Sequence, residues 1–176
     1  MKCINRYNSF LNRIKNDFRK IKYKPALIVS LICFVLGLIT WIFGGSAHRI
    51  LIIYAFPKSA MPLAIMYILW GFSYLACGFV LGALLFNCDI YRRQNNYKIC
   101  VTIVMMQLFT LVAYPLFFGA NSPFVSFLSF IISLVLCFFA ISLIIKMKNC
   151  LSLFMIIHFV WLSYNAYITL AFSMIN

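Results

Sequence analysis

Acidic residues are almost missing from this chain: of its 176 residues, only Asp17 and Asp89 carry a side-chain carboxylate. Their scarcity leaves little room for paired-carboxylate acid–base chemistry or for a hard-cation site. Charge of either sign is thin, at 10% of residues, where a soluble domain carries about a quarter. With 65% of residues hydrophobic, the outer face of the folded chain has to meet lipid. Also absent are a CxxC pair, a phosphate-binding glycine loop, an evident nucleophile–base pairing and a His/Cys/Asp cluster at metal spacing. An enzyme would rest on scattered thiols alone, so catalysis is not expected and no cofactor is required. A cleavable leader is not expected either, because no small-residue cleavage site follows a short apolar core.

Five apolar runs are present, approximately 26–44, 62–86, 99–118, 124–145 and 151–175. Each has about the 20 residues that cross a ~30 Å hydrocarbon core. In lipid the backbone must bond to itself, so each run is expected to be a helix. The fold class that follows is an all-α integral membrane protein, a five-transmembrane-helix bundle spanning residues 25–176, preceded by a basic segment at 1–24. Four of the seven cysteines (Cys33, Cys77, Cys100 and Cys137) fall inside these runs. There they read as small hydrophobes rather than as a disulfide framework.

The fifteen Lys and Arg are unevenly placed. Eight lie in residues 1–24; Arg92, Arg93 and Lys98 follow the second run, and Lys146 and Lys148 follow the fourth. Only Arg49 and Lys58 fall on the other side. This asymmetry predicts a cytoplasmic N-terminus, an outer C-terminus and, with no convincing transit peptide, a cell-membrane location. Basic clusters beside apolar runs suit anionic membrane lipid, and without a recognisable nucleic-acid module no nucleic-acid partner is expected. Within 4–22, Ile4, Tyr7, Leu11, Ile14, Phe18 and Ile21 share a helical face, with Arg and Lys around the rest. The segment reads either as an amphipathic helix on the cytoplasmic leaflet or against a partner, or as a solvated basic tail. Pro25 is expected to mark the break before the first span.

The residues that could hold a ligand lie in the second, third and fifth runs. Trp70, Tyr74 and Gly78 recur at four-residue steps and share one helix face. That stripe is either a packing seam or one wall of a pocket, and spacing alone leaves both open. In the fifth run His158, Trp161, Asn165 and Thr169 can line a stripe, with Tyr164 beside it. An Asn at membrane depth should face the interior and find a partner, as should Gln107 in the third run. His158 admits metal ligation, although a lone buried His is more often simply hydrogen-bonded. Pro115 is expected to kink the third helix near its outer end, bringing Phe117 and Phe118 toward the mouth. "GANSP" then reads as a tight turn formed by Asn121 and Pro123. The first outer connection, "HRILIIYAFPKSAM", is apolar for an exposed loop and must bury something.

Taken together, these motifs resemble the TspO/MBR family, the tryptophan-rich sensory proteins related to the translocator protein. Pro62, Trp70, Tyr74 and Gly78 match its P-x7-W-x3-Y-x3-G pattern. "PLFFGANSP" is similar to the family's ending of the third helix, and Trp161, Tyr164, Ile168 and Thr169 fall on its fifth-helix pattern. Departures include Met66 and Tyr67 for a Phe-Pro, Asn165 for an Ala, and Thr169 for an Asn. The resemblance implies a five-helix bundle, in some members a homodimer, with a pocket beneath the first loop for a tetrapyrrole such as protoporphyrin IX or haem, or another hydrophobic small molecule. Transport, sensing and porphyrin breakdown are all roles it suggests. The expected ligand-binding set is Tyr54, Pro62, Trp70, Tyr74, Gly78, Phe117, Phe118, Trp161, Tyr164, Asn165 and Thr169, while Arg49 and Lys58 near the outer mouth meet either porphyrin carboxylates or lipid head groups. The alternative is a structural or regulatory membrane subunit whose basic N-terminal helix docks a partner, with no ligand in the bundle.

Overall fold

The computed structural model describes residues 21–43, 57, 60–86, 93–146 and 151–175. They form five helices: α1 (Tyr23–Phe43), α2 (Leu63–Phe86), α3 (Arg93–Phe118), α4 (Pro123–Lys146) and α5 (Ser152–Ile175). All five are long and apolar enough to cross a membrane. At 21 to 26 residues each and ~1.5 Å per residue, they reach roughly 31–39 Å. Their outer faces carry large exposed apolar side chains, such as Leu27, Ile28 and Leu31 on α1 and Val135, Phe138 and Phe139 on α4. Apolar surface on this scale is tolerated only against lipid, so the chain is an integral membrane protein.

Most helix starts and ends fall within a few residues of the expected spans, and the differences are informative. α1 begins at Tyr23, so Pro25 lies inside its first turn rather than before it. A first-turn residue has no intrahelical acceptor for its N–H, so a proline there sacrifices nothing. α3 starts at Arg93, six residues ahead of the expected Ile99, because the polar stretch before the apolar run is also helical. It then runs through Pro115 and stops three residues later. Asn121 takes the left-handed conformation expected of a turn residue (φ 49°), and Pro123 occupies the first position of α4. In the basic N-terminal segment, Ile21 and Lys22 are not helical and Ile21 is buried against the bundle. The rest of the proposed amphipathic helix lies outside the described residues.

Neighbour contacts close a ring in the order α1, α2, α5, α4, α3, with α3 returning to α1 and α2. The antiparallel α1–α2 seam is made of small residues. A Cβ on Gly82 would sit 2.7 Å from the Ala26 Cα, and one on Gly78 would sit 2.7 Å from the Ser30 Cα. These two glycines let the backbones touch, the usual route to close packing in lipid. Ser30 Oγ then donates across the seam to the Leu75 carbonyl at 2.7 Å. Serines join α3 to α4: Ser126 Oγ donates to the Ala113 carbonyl at 2.8 Å, and Thr110 Oγ1 lies 3.1 Å from Ser133 Oγ.

Candidate functional site: an aromatic cluster at the loop end

The C-terminal ends of α1, α3 and α5 and the N-terminal ends of α2 and α4 share one end of the bundle, because successive helices run antiparallel. The Met61 N–H donates to the Tyr164 hydroxyl at 2.8 Å, which ties the entry to α2 onto α5. Trp70 lies seven residues into α2, about 10 Å down. Its ring packs on Phe34 of α1 at 5.7 Å and on Tyr74 at 5.2 Å between centroids. Tyr74 is fully buried. One ring edge faces Gly37 of α1, where a Cβ would come within 3.0 Å, and the His158 ring of α5 meets it edge-on at 6.2 Å.

A second aromatic group faces this one from α3 and α5. Trp161 and Tyr164 are 5.7 Å apart in a tilted pair. The Tyr114 hydroxyl donates to Asn165 Oδ1 at 3.4 Å, and Asn165 Nδ2 donates to the Trp161 carbonyl at 2.8 Å. Thr169 Oγ1 donates back to the Asn165 carbonyl at 2.8 Å. Phe117 packs at 5.0 Å against Phe172 and at 4.9 Å against Phe118, whose ring stacks with Tyr114. The polar Asn is thus anchored inside the bundle, as its depth requires.

Several polar atoms in this region have no bond. The indole N–H groups of Trp70 and Trp161 and the hydroxyl of Tyr74 are buried without a hydrogen-bond partner. Each indole lies near a phenol, Trp70 by Tyr74 and Trp161 by Tyr114, without bonding geometry. Indole and phenol bring flat apolar walls that stack on rings, plus a hydrogen-bonding tip. The cluster is therefore chemically suited to a planar apolar molecule bearing a few acceptors.

Of the expected residues, Trp70, Tyr74, Trp161, Tyr164, Asn165, Thr169, Phe117 and Phe118 gather at this end. Gly78 lies one turn below Tyr74 in the α1–α2 seam, where it makes room for the α1 backbone. Pro62 is exposed, and its carbonyl accepts the Ile65 and Met66 N–H groups in the first turn of α2. Tyr54, Arg49 and Lys58 lie outside the described residues. His158 is hydrogen-bonded, its Nδ1 lying 2.6 Å from Ser73 Oγ. Gln107, for which a partner was expected, has none for either amide atom. Sequence reasoning passed over Tyr114 and the α1 residues beneath Trp70 and Tyr74. Ala26, Ser30, Cys33 and Gly37 do follow helical spacing, so the α1 seam was readable as a stripe of small residues.

No curated protein matches the chain. The model of the TspO/MBR family does match, over residues 25–175. That stretch runs from the first turn of α1 to the last residue of α5 and includes every residue of the aromatic cluster. The chain belongs to the TspO/MBR family.

Proposed function

We propose that this membrane protein binds a hydrophobic planar ligand, a tetrapyrrole such as protoporphyrin IX, for transport or sensing. The observation that carries the reading is the set of unpartnered donors on aromatic walls: Trp70 Nε1, Tyr74 OH and Trp161 Nε1, all buried at the loop end. A buried donor without an acceptor is costly, and a ligand that supplies acceptors between those rings removes the cost. Trp70 and Trp161 are at most 9% exposed, so ring rotation accompanies entry. The uneven placement of Lys and Arg supports a cytoplasmic N-terminus in the cell membrane, with the aromatic cluster toward the outer face. Titration of detergent-purified protein with protoporphyrin IX, followed by porphyrin absorbance and Trp quenching together, tests the binding. A saturable change, weakened by Trp70→Ala or Trp161→Ala, is expected. Nonsaturable changes equal to those of an unrelated membrane protein overturn it.

A further inference from the structure

α2 and α5 carry the two tryptophans of the aromatic cluster, so whatever fixes one helix against the other also fixes the walls. Two of the hydrogen bonds that tie these segments differ in kind. The upper one, from the Met61 N–H to the Tyr164 hydroxyl at 2.8 Å, is exposed at the loop end. The lower one joins Ser73 Oγ to His158 Nδ1 at 2.6 Å, between side chains that are fully buried. Along the chain, Trp70 lies between Met61 and Ser73, and Trp161 lies between His158 and Tyr164. Each tryptophan is therefore bracketed by the two ties along its own segment.

The imidazole holds more than Ser73. Its ring also meets the next residue, Tyr74, edge-on at 6.2 Å, and Tyr74 in turn packs on Trp70 at 5.2 Å. Three residues further along α5, Trp161 rises from the same helix face. A Ser–His pair at bonding distance is also the beginning of a nucleophile–base arrangement, but such a base is itself oriented by a third group. Nε2 of His158 has no partner, and neither side chain is accessible, so the pair is a tie rather than a reacting couple. In lipid no hydrophobic force presses helix on helix. A buried hydrogen bond is also stronger than an exposed one, where water replaces the lost partner. α2 and α5 therefore part more readily at Met61–Tyr164 than at Ser73–His158.

We propose that Ser73 and His158 are positioning residues for the aromatic cluster: their bond is the fixed pivot about which α2 and α5 separate at the loop end to admit a ligand. The admission of a ligand rests on the proposed function; the pivot itself does not. Ser73→Ala and His158→Phe each remove the bond, the second keeping a ring edge beside Tyr74, and His158→Asn returns an amide near the place of Nδ1. With Trp41→Phe in every protein, Trp fluorescence comes from Trp70 and Trp161 alone. Acrylamide quenching of ligand-free protein in detergent, well below its melting temperature, should rise severalfold in either bond-breaking variant. It should rise no further in the double variant, because both remove one bond, and fall back toward the parent in His158→Asn. A lost packing contact alone would lower the melting temperature without exposing the indoles or being repaired by His158→Asn. Protoporphyrin IX affinity should fall about fivefold in the same two variants. Parent-level quenching in both, or effects that add in the double variant, overturn the pivot. Quenching that rises while porphyrin affinity holds overturns the positioning role. If no porphyrin binds even the parent, the proposed ligand binding fails by itself, while quenching still decides the pivot. If neither variant folds, the ring nitrogens of His158 decide it with the pair intact: after histidine ¹⁵N labelling and His48→Gln, one fixed tautomer is expected. A water-like mixture of tautomers overturns the bond.

Discussion

Adding one methyl group at Gly78 should push α1 and α2 apart. The new Cβ would lie 2.7 Å from the Ser30 Cα and 2.9 Å from the Cys33 Cβ. Ordinary carbon contacts begin at about 3.5 Å, and a backbone atom cannot swing aside, so the two helices must separate by roughly 1 Å. That movement stretches the Ser30 Oγ bond to Leu75 O, now 2.7 Å, beyond useful length, a loss of about 1 kcal/mol. Overpacking adds about 2 kcal/mol, and the better helix propensity of Ala returns about 1 kcal/mol. The net destabilisation is about 2 kcal/mol, or roughly 4–8 °C in melting temperature for a chain of this size. Gly71→Ala is the control, since its Cβ would meet only the tip of the Phe34 ring, at 3.1 Å. Intrinsic-fluorescence melting of both variants in detergent measures the difference. If Gly78→Ala melts no lower than Gly71→Ala, the close seam is not what positions Trp70 and Tyr74.

Three further outcomes are expected. Ser73→Ala removes the partner of His158 Nδ1 and should lower stability by about 1–3 kcal/mol; combining it with His158→Phe should recover some of that loss in a double-mutant melting cycle. Tyr164→Phe deletes the acceptor of the Met61 N–H; amide exchange at Met61 should quicken severalfold while the melting temperature moves little, since the bond is exposed and worth about 1 kcal/mol. Deletion of residues 2–20 should leave porphyrin affinity within about twofold, because the proposed aromatic walls and donors belong to the five helices; binding that disappears in folded protein would make the N-terminal segment a component of the site.

Much of the architecture was legible because lipid imposes a simple rule. A run of about 20 apolar residues that must satisfy its own backbone can only be a helix, and all five runs are helices. Their ends were less legible where polar residues stay helical beyond the apolar run, as between Arg93 and Lys98. Periodicity within each helix put Trp70 and Tyr74 on one stripe of α2, and Trp161 and Asn165 on one stripe of α5. Their partners did not follow from it, because sequence gives no rotation of one membrane helix against another when every face is apolar. Tyr114 therefore emerged as the donor to Asn165 only once α3 was placed beside α5. Gln107 shows the opposite limit: its depth predicted a partner, and none is present among the described residues.

The opposed demands on α2 explain why one of its stripes mixes an indole, a phenol and a glycine. Of its span, 67% is buried inside the bundle, against 17% for α1, so α2 is the hub and α1 a cover. Gly78 and Gly82 let that cover seat backbone to backbone. Higher on the same helix, Gly37 of α1 makes the complementary concession, leaving space for the rings of Trp70 and Tyr74. In the lower half of the seam the glycines on α2 meet the α1 backbone, whereas at the level of the aromatic cluster a glycine on each helix, Gly37 and Gly71, faces a ring of the other. A seam with small residues on α2 throughout would have no room for large rings at the loop end. One with rings throughout would hold α1 off the bundle and leave the Ser30 to Leu75 bond unmade. The stripe thus joins packing to site construction: the same close approach that fixes α1 also presses Tyr74 inward against His158 and leaves its hydroxyl near the unbonded indole of Trp70.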